Sequence, residues 1–115
     1  MRYVLLIHSN RESWATLSAD GQRALGRAHA DFTTELTDAG RLVASEGLAD
    51  PVRTRTVRVR DGVTIATDGP FVESKEHLAG FYVVECDGED DAVALATRLP
   101  DARIDAVEVR PVADA

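Results

Sequence analysis

From Tyr3 to Ile7 every position is apolar. On a strand, Tyr3, Leu5 and Ile7 point to one side and Val4 and Leu6 to the other, as in a strand covered on both faces. After Ser18 the rhythm changes. Leu25, Ala28, Phe32, Leu36 and Ala39 recur at spacings of three and four, which predicts a helix with one apolar stripe. Ser18 is a good N-cap, Asp20 suits the positive helix end, and Gly40 is a natural stop because it tolerates positive φ. Leu42–Leu48 reads as a second strand, broken by Asp50-Pro51. Two β-rich runs follow, Arg53–Arg60 and Val63–Thr67. Asp61-Gly62 between them predicts a hairpin with a type I′ turn. Leu78–Cys86 is a further strand, with Phe81 and Val83 opposite Tyr82 and Val84. Asp87 is placed to cap a second helix, with Glu89 and Asp90 in its first turn. Ala92, Leu95, Ala96 and Leu99 form the buried stripe and Pro100 is read as the stop. Ile104–Arg110 closes the chain as a last strand.

The predicted order is β-α-β, a hairpin, then β-α-β, with no linker or repeat, so residues 1–115 form one domain. Two helices cover one face of a sheet and leave the other bare. Strands that are apolar on both faces therefore call for a second copy, packed sheet on sheet as an isologous dimer. The fold class expected is α+β: a ferredoxin-like domain, dimerised as an α+β barrel.

Composition narrows the function classes. The chain has 115 residues, 44% apolar and 29% charged, which is ordinary for a folded domain. Its net charge of −7 repels phosphate backbones, so nucleic acid is not an expected partner. Arg53, Arg55, Arg58 and Arg60 do cluster. No aromatic platform interleaves them, so they read as the charge that guards an edge strand. Cys86 is the single cysteine, which excludes an internal disulfide and suits a reducing cytoplasm. The run Tyr3–Ile7 is too short for a signal segment or a membrane span. No P-loop or G-x-G-x-x-G is present, and no cofactor is expected. His29, Glu46, Glu73 and His77 are metal-ligand types without a short ligand spacing, so no metal is expected either. Ser9, Ser13 and Ser74 lack a nucleophile elbow. Cys86 and Trp14 read as packing, with Trp14 a lid over the core.

The stretch from Thr67 to His77 stands apart. Gly69-Pro70 is a turn signal, and Asp68, Glu73, Lys75, Glu76 and His77 bring five ionisable groups within ten residues. In a cleft such groups hold a polar ligand or tune one another's pKa. In water they are a solvated loop. The motif Asp68-Gly69-Pro70-Phe71, followed by Glu73-Ser74-Lys75-Glu76-His77-Leu78-Ala79-Gly80-Phe81, resembles the DGPF branch of the YCII-related domain family. Tyr3–Ile7, Gly40–Val43 and Val107–Pro111 resemble it too. The resemblance implies a dimeric α+β barrel and small-molecule chemistry at a histidine–aspartate pair. For the DGPF branch it implies an association with extracytoplasmic-function sigma factors. The family histidine falls on His29, which lies about 60° from the centre of the Leu25–Phe32–Leu36 stripe, at the rim of the buried face. Asp38 lies nine residues on, about 180° around the helix and roughly 13 Å along it, and cannot meet His29. Glu46, Asp68 and Glu73 are the better partners.

Three readings follow. In the first, the protein is a small cofactor-free enzyme or ligand-binding protein doing acid–base chemistry on a small polar metabolite. His29 transfers the proton, with Asp68, Glu73 or Glu46 orienting it. Lys75 and Glu76 bind the ligand, and Phe71 and Phe81 wall the pocket. In the second, it is a non-catalytic interaction module for a sigma-factor-related protein: the DGPF loop is a docking surface or a structural clamp, and Glu73, Lys75 and Glu76 form salt bridges rather than a site. In the third, the charged stretch is structural, Asp68 and Glu73 pairing with Arg110 or Arg41.

Overall fold

The computed structural model describes residues 1–71 and 74–114. The elements are β1 (Arg2–Asn10), α1 (Arg11–Thr16), α2 (Ala19–Asp38), β2 (Leu42–Gly47), β3 (Arg55–Arg60), β4 (Val63–Asp68), β5 (Glu76–Glu85), α3 (Glu89–Thr97), α4 (Asp101–Ile104) and β6 (Ala106–Pro111), with a 3₁₀ turn at Pro51–Arg53. The main sheet is antiparallel, in the order β2-β5-β1-β6, and β3–β4 form a separate two-stranded ribbon. Mixed α+β architecture is therefore as the periodicity predicts.

Alternation along β1 sets the core. Tyr3, Leu5 and Ile7 are buried on one face, with Tyr82 and Val84 beside them on β5. Phe32 and Leu36 from α2 and Ala92, Leu95, Ala96 and Leu99 from the α3 region close over that face. Each fully buried Leu or Phe contributes about 1.5–3 kcal/mol of transfer free energy. The opposite face carries Val4 paired with Val83 and Leu6 paired with Phe81. These side chains are only half-buried, and Val43 is exposed.

The caps explain where α2 begins and ends. The Ser18 hydroxyl accepts from the Gly21 N–H at 3.0 Å. At the other end Gly40 adopts φ +69. Its N–H donates to the Thr37 carbonyl, and the Arg41 N–H donates to the Leu36 carbonyl, which is the Schellman arrangement. The hairpin turn also follows prediction: Asp61 and Gly62 both have positive φ, 52 and 74. Val57, Val59, Val63 and Ile65 on that ribbon are all exposed.

Several boundaries differ from the sequence reading; β5 begins at Glu76 rather than Leu78, which takes Glu76 and His77 into the strand. A short helix, α1, follows β1 because the Asn10 side chain accepts from the Ser13 N–H at 2.8 Å. Arg53 belongs to the 3₁₀ turn rather than to β3, since Asp50 caps Pro51–Arg53 by accepting from the Val52 N–H. Gly88, not Asp87, stands at the N-cap of α3; the Asp87 N–H instead donates to the Asp91 carboxylate. Pro100 does not only end a helix. It stands at the N-cap of α4, and β6 starts at Ala106. A proline has preset φ and no N–H to satisfy, so it opens a helix as readily as it closes one.

Candidate functional site

His29 sits on α2 three residues before Phe32, so it lies at the edge of the buried stripe. Its side chain is 25% exposed. Tyr82 comes up beneath it from the middle of β5, because alternation points Tyr82 to the same face as Val84 and Gly80. The two rings stack at 5.9 Å with planes 7° apart, and Phe32 holds the Tyr82 ring edge-on at 5.3 Å. Asp101, the first residue of α4, reaches His29 from the other side. Its side chain is 12% exposed.

The resulting chain of hydrogen bonds uses both imidazole nitrogens. His29 Nε2 is 2.6 Å from Asp101 Oδ1, and Nδ1 is 2.7 Å from Tyr82 Oη. A carboxylate only accepts, so in the neutral imidazole Nε2–H donates to Asp101 and Nδ1 accepts from the Tyr82 hydroxyl. Burial pushes the Tyr82 phenol above its ordinary pKa, and the Asp101 charge adds to the rise. The hydroxyl therefore stays protonated and able to donate. Thr33 Oγ1 donates to the His29 carbonyl at 2.8 Å and steadies the helix turn that carries the ring.

These groups border a cavity of about 710 Å³, a size that suits a small organic molecule. Ile7, Trp14 and Leu25 supply apolar lining and His77 polar lining; Glu46 and Phe81 also border it, but as cross-strand partners alternating with Ser45 and Tyr82 they belong to the other face of the sheet. Arg11 and Asp50, 2.6 Å apart, also border it. Asp50 is held below the ordinary carboxylate pKa, first by the Val52 N–H and then by Arg11. Trp14 is 44% exposed, a cavity wall rather than a lid over the core. Among the described residues no three His, Cys, Asp or Glu side chains converge as a metal site. No described helix is long and apolar enough to cross a membrane.

The sequence-predicted residues separate into three groups. His29, Glu46 and Phe81 border this cavity. Asp68, Lys75 and Glu76 border a second hollow of about 1100 Å³, which shares Asn10, Arg11, Leu48 and His77 with the first. Phe71 borders neither: it is 74% exposed, with the Arg58 guanidinium 5.3 Å above its ring. Glu73 lies outside the described residues.

The expected partner of His29 needs correcting. The carboxylate against the ring is Asp101, rather than Glu46 or Asp68. Asp68 is instead 3.4 Å from Arg55, its cross-strand neighbour. Arg41, expected to hold Asp68 or Glu73, donates to Asp91 at 2.6 Å. With Pro100 as the end of one helix and Ile104 as the start of a strand, the sequence pattern leaves Asp101 in an unassigned gap. The usable signal is Pro100-Asp101 itself, a proline followed by an acid, the pattern of a helix first turn. Tyr82 fits the sequence pattern as a core strand position, with no signal for its hydroxyl.

Comparison with known proteins gives the family. The YCII-related domain matches residues 1–115. An uncharacterized protein of Rhizobium meliloti (strain 1021) is 31% identical over 115 residues, spanning 98% of this chain and 93% of its own length.

Proposed function

Because the chain belongs to the YCII-related domain family, we propose that it is a small cofactor-free enzyme or ligand-binding protein for a small polar metabolite, working by proton transfer at His29. One observation carries this reading: a carboxylate, an imidazole and a phenol are hydrogen-bonded in series at the wall of a cavity. A charged carboxylate beside an imidazole stabilises the imidazolium that forms when a proton is taken up. The chemistry that follows is proton abstraction, isomerisation or elimination. Its substrates are molecules with an acidic C–H or O–H, such as keto acids, lactones, cyclic diones and quinols. His77 is placed to meet a polar group of the same ligand, and Trp14 and Leu25 its apolar part.

The working unit in this proposal is a ferredoxin-like homodimer. Counted along the main sheet alone, the strands run second, third, first, fourth, which is the order such a domain requires. The bare face holding Val4, Leu6, Val43 and Val83 is the surface that a second copy would cover.

A thermal-shift screen against those metabolite classes tests the reading. A ligand at about 100 times its Kd stabilises by roughly 2.7 kcal/mol, a shift of order ten degrees for a domain this small. The expected result is a hit that disappears in His29→Ala while the variant stays folded. No shift across the panel would instead favour a non-catalytic docking role, and a hit that survives His29→Ala would remove the histidine from the site.

A further inference from the structure

His29 has no free nitrogen. Nε2 is committed to Asp101 at 2.6 Å and Nδ1 to Tyr82 at 2.7 Å. A general base needs an open lone pair within hydrogen-bond reach of the proton it takes. In this arrangement the imidazole offers none to the cavity. The Tyr82 oxygen can: the hydroxyl gives its one hydrogen to Nδ1, a much closer acceptor than the His29 carbonyl at 3.5 Å, and beside the Thr33 hydroxyl it still has a lone pair to accept another. Tyr82 also borders the cavity.

We propose that Tyr82 is the group that exchanges a proton with the ligand, and that His29 and Asp101 act through it. The inference rests on the acid–base reading above and assigns its terminal atom. In the step, the ligand's C–H or O–H bond breaks and its proton goes to Tyr82 Oη. The phenolic proton passes at the same time to His29 Nδ1. The electron pair of the broken bond stays on the ligand as an enolate or alkoxide. The new positive charge lies on the imidazolium, against the Asp101 carboxylate. Net charge is unchanged, no oxidant or reductant is needed, and the reverse transfer returns a proton to the same or a neighbouring ligand atom. Such a relay avoids a free phenolate, which burial disfavours. Phe32 edge-on and His29 face-on fix the ring in place. His29 is then a positioning and relaying residue, and Tyr82 the catalytic one.

Two chemical probes test this on the intact protein. N-acetylimidazole acetylates a phenol only where it can approach the oxygen. The chain has two tyrosines, and Tyr3 and Tyr82 are equally buried at 4%. Only Tyr82 borders the cavity. Mass spectrometry should find Tyr82 acetylated well ahead of Tyr3; equal or slower labelling of Tyr82 would overturn the proposal. Diethyl pyrocarbonate attacks an open imidazole nitrogen. His29 should react slowly in the wild type and about fivefold faster in Tyr82→Phe, since one capping hydrogen bond is gone. Equal rates would mean that Nδ1 is open and His29 meets the ligand itself. Should Tyr82→Phe fail to fold, the ¹⁵N spectrum of the wild-type imidazole gives the same answer. The expected signature is a bare Nδ1 shifted by an accepted hydrogen bond, with the proton on Nε2; the opposite tautomer would sink the relay. Failure of the broader acid–base reading looks different: no metabolite shifts the melting temperature, whatever the labelling shows.

Discussion

Two polar clusters lie within one chain, and they differ in what surrounds them. The stretch from Thr67 to His77 is dense in charge and easy to see. Asp68 within it has a side chain 94% exposed, and its partner Arg55, at 3.4 Å, is 62% exposed. At that distance in water the attraction is worth about 1 kcal/mol before side-chain entropy is subtracted. The other cluster has only three members, scattered over 72 residues of sequence. It lies against the core, with the Asp101 side chain 12% exposed and Tyr82 4% exposed. There each hydrogen bond is stronger and each missing partner costs more. Burial, rather than density of charge, separates a group that can do chemistry from one that is merely wet.

Substitutions sharpen or break that contrast. Asp101→Ala should cost the most, about 1–3 kcal/mol, because the His29 N–H loses its acceptor in a half-buried place. Urea denaturation measures it; a loss under half that range would show that water replaces the carboxylate and that the cluster is solvated after all. Tyr82→Phe should cost about 0.5–1.5 kcal/mol for one hydrogen bond. It should also change the alkaline limb of stability. The folded-state pKa of Tyr82 is raised, so its contribution is full below the unfolded phenol value of about 10 and is lost as pH climbs from there through the folded value. Wild type should therefore weaken there more steeply than Tyr82→Phe, and parallel curves would refute the burial argument. The smallest effects belong to the charged stretch. Asp68→Asn and Lys75→Ala should each stay within about 0.5 kcal/mol. A loss well above that would mean that the segment is clamped, and would revive its structural reading.

The fold was largely legible and the site only half so. Apolar alternation gave β1 and β5, the three-and-four spacing gave α2, and Ser18, Gly40 and Asp61-Gly62 marked real boundaries. These signals are local, so one sequence carries them. His29 is reachable because the family resemblance points to it, and helix periodicity then places it at the edge of a stripe. Asp101 was not, because its role depends on α4 returning to α2, and nothing local distinguishes a surface acid after a proline from a buried one. Tyr82 shows a different limit. A tyrosine in an apolar strand satisfies the core pattern completely, so the pattern does not report where its hydroxyl ends. Conversely, Phe71 drew attention through its motif and lies out in solvent.

Gly80 faces Gly47 where β5 pairs with β2, and both glycines border the first cavity. A methyl group at position 80 would stand 2.8 Å from the Glu46 carbonyl oxygen, closer than atoms tolerate. The two strands thus approach on bare backbone, and β2 is held close to the strand that carries Tyr82. The width of the chamber is set by side chains that are missing. Gly80→Ala would act as a spacer: it would lever β2 outward and change which ligands the chamber admits without touching a single polar group.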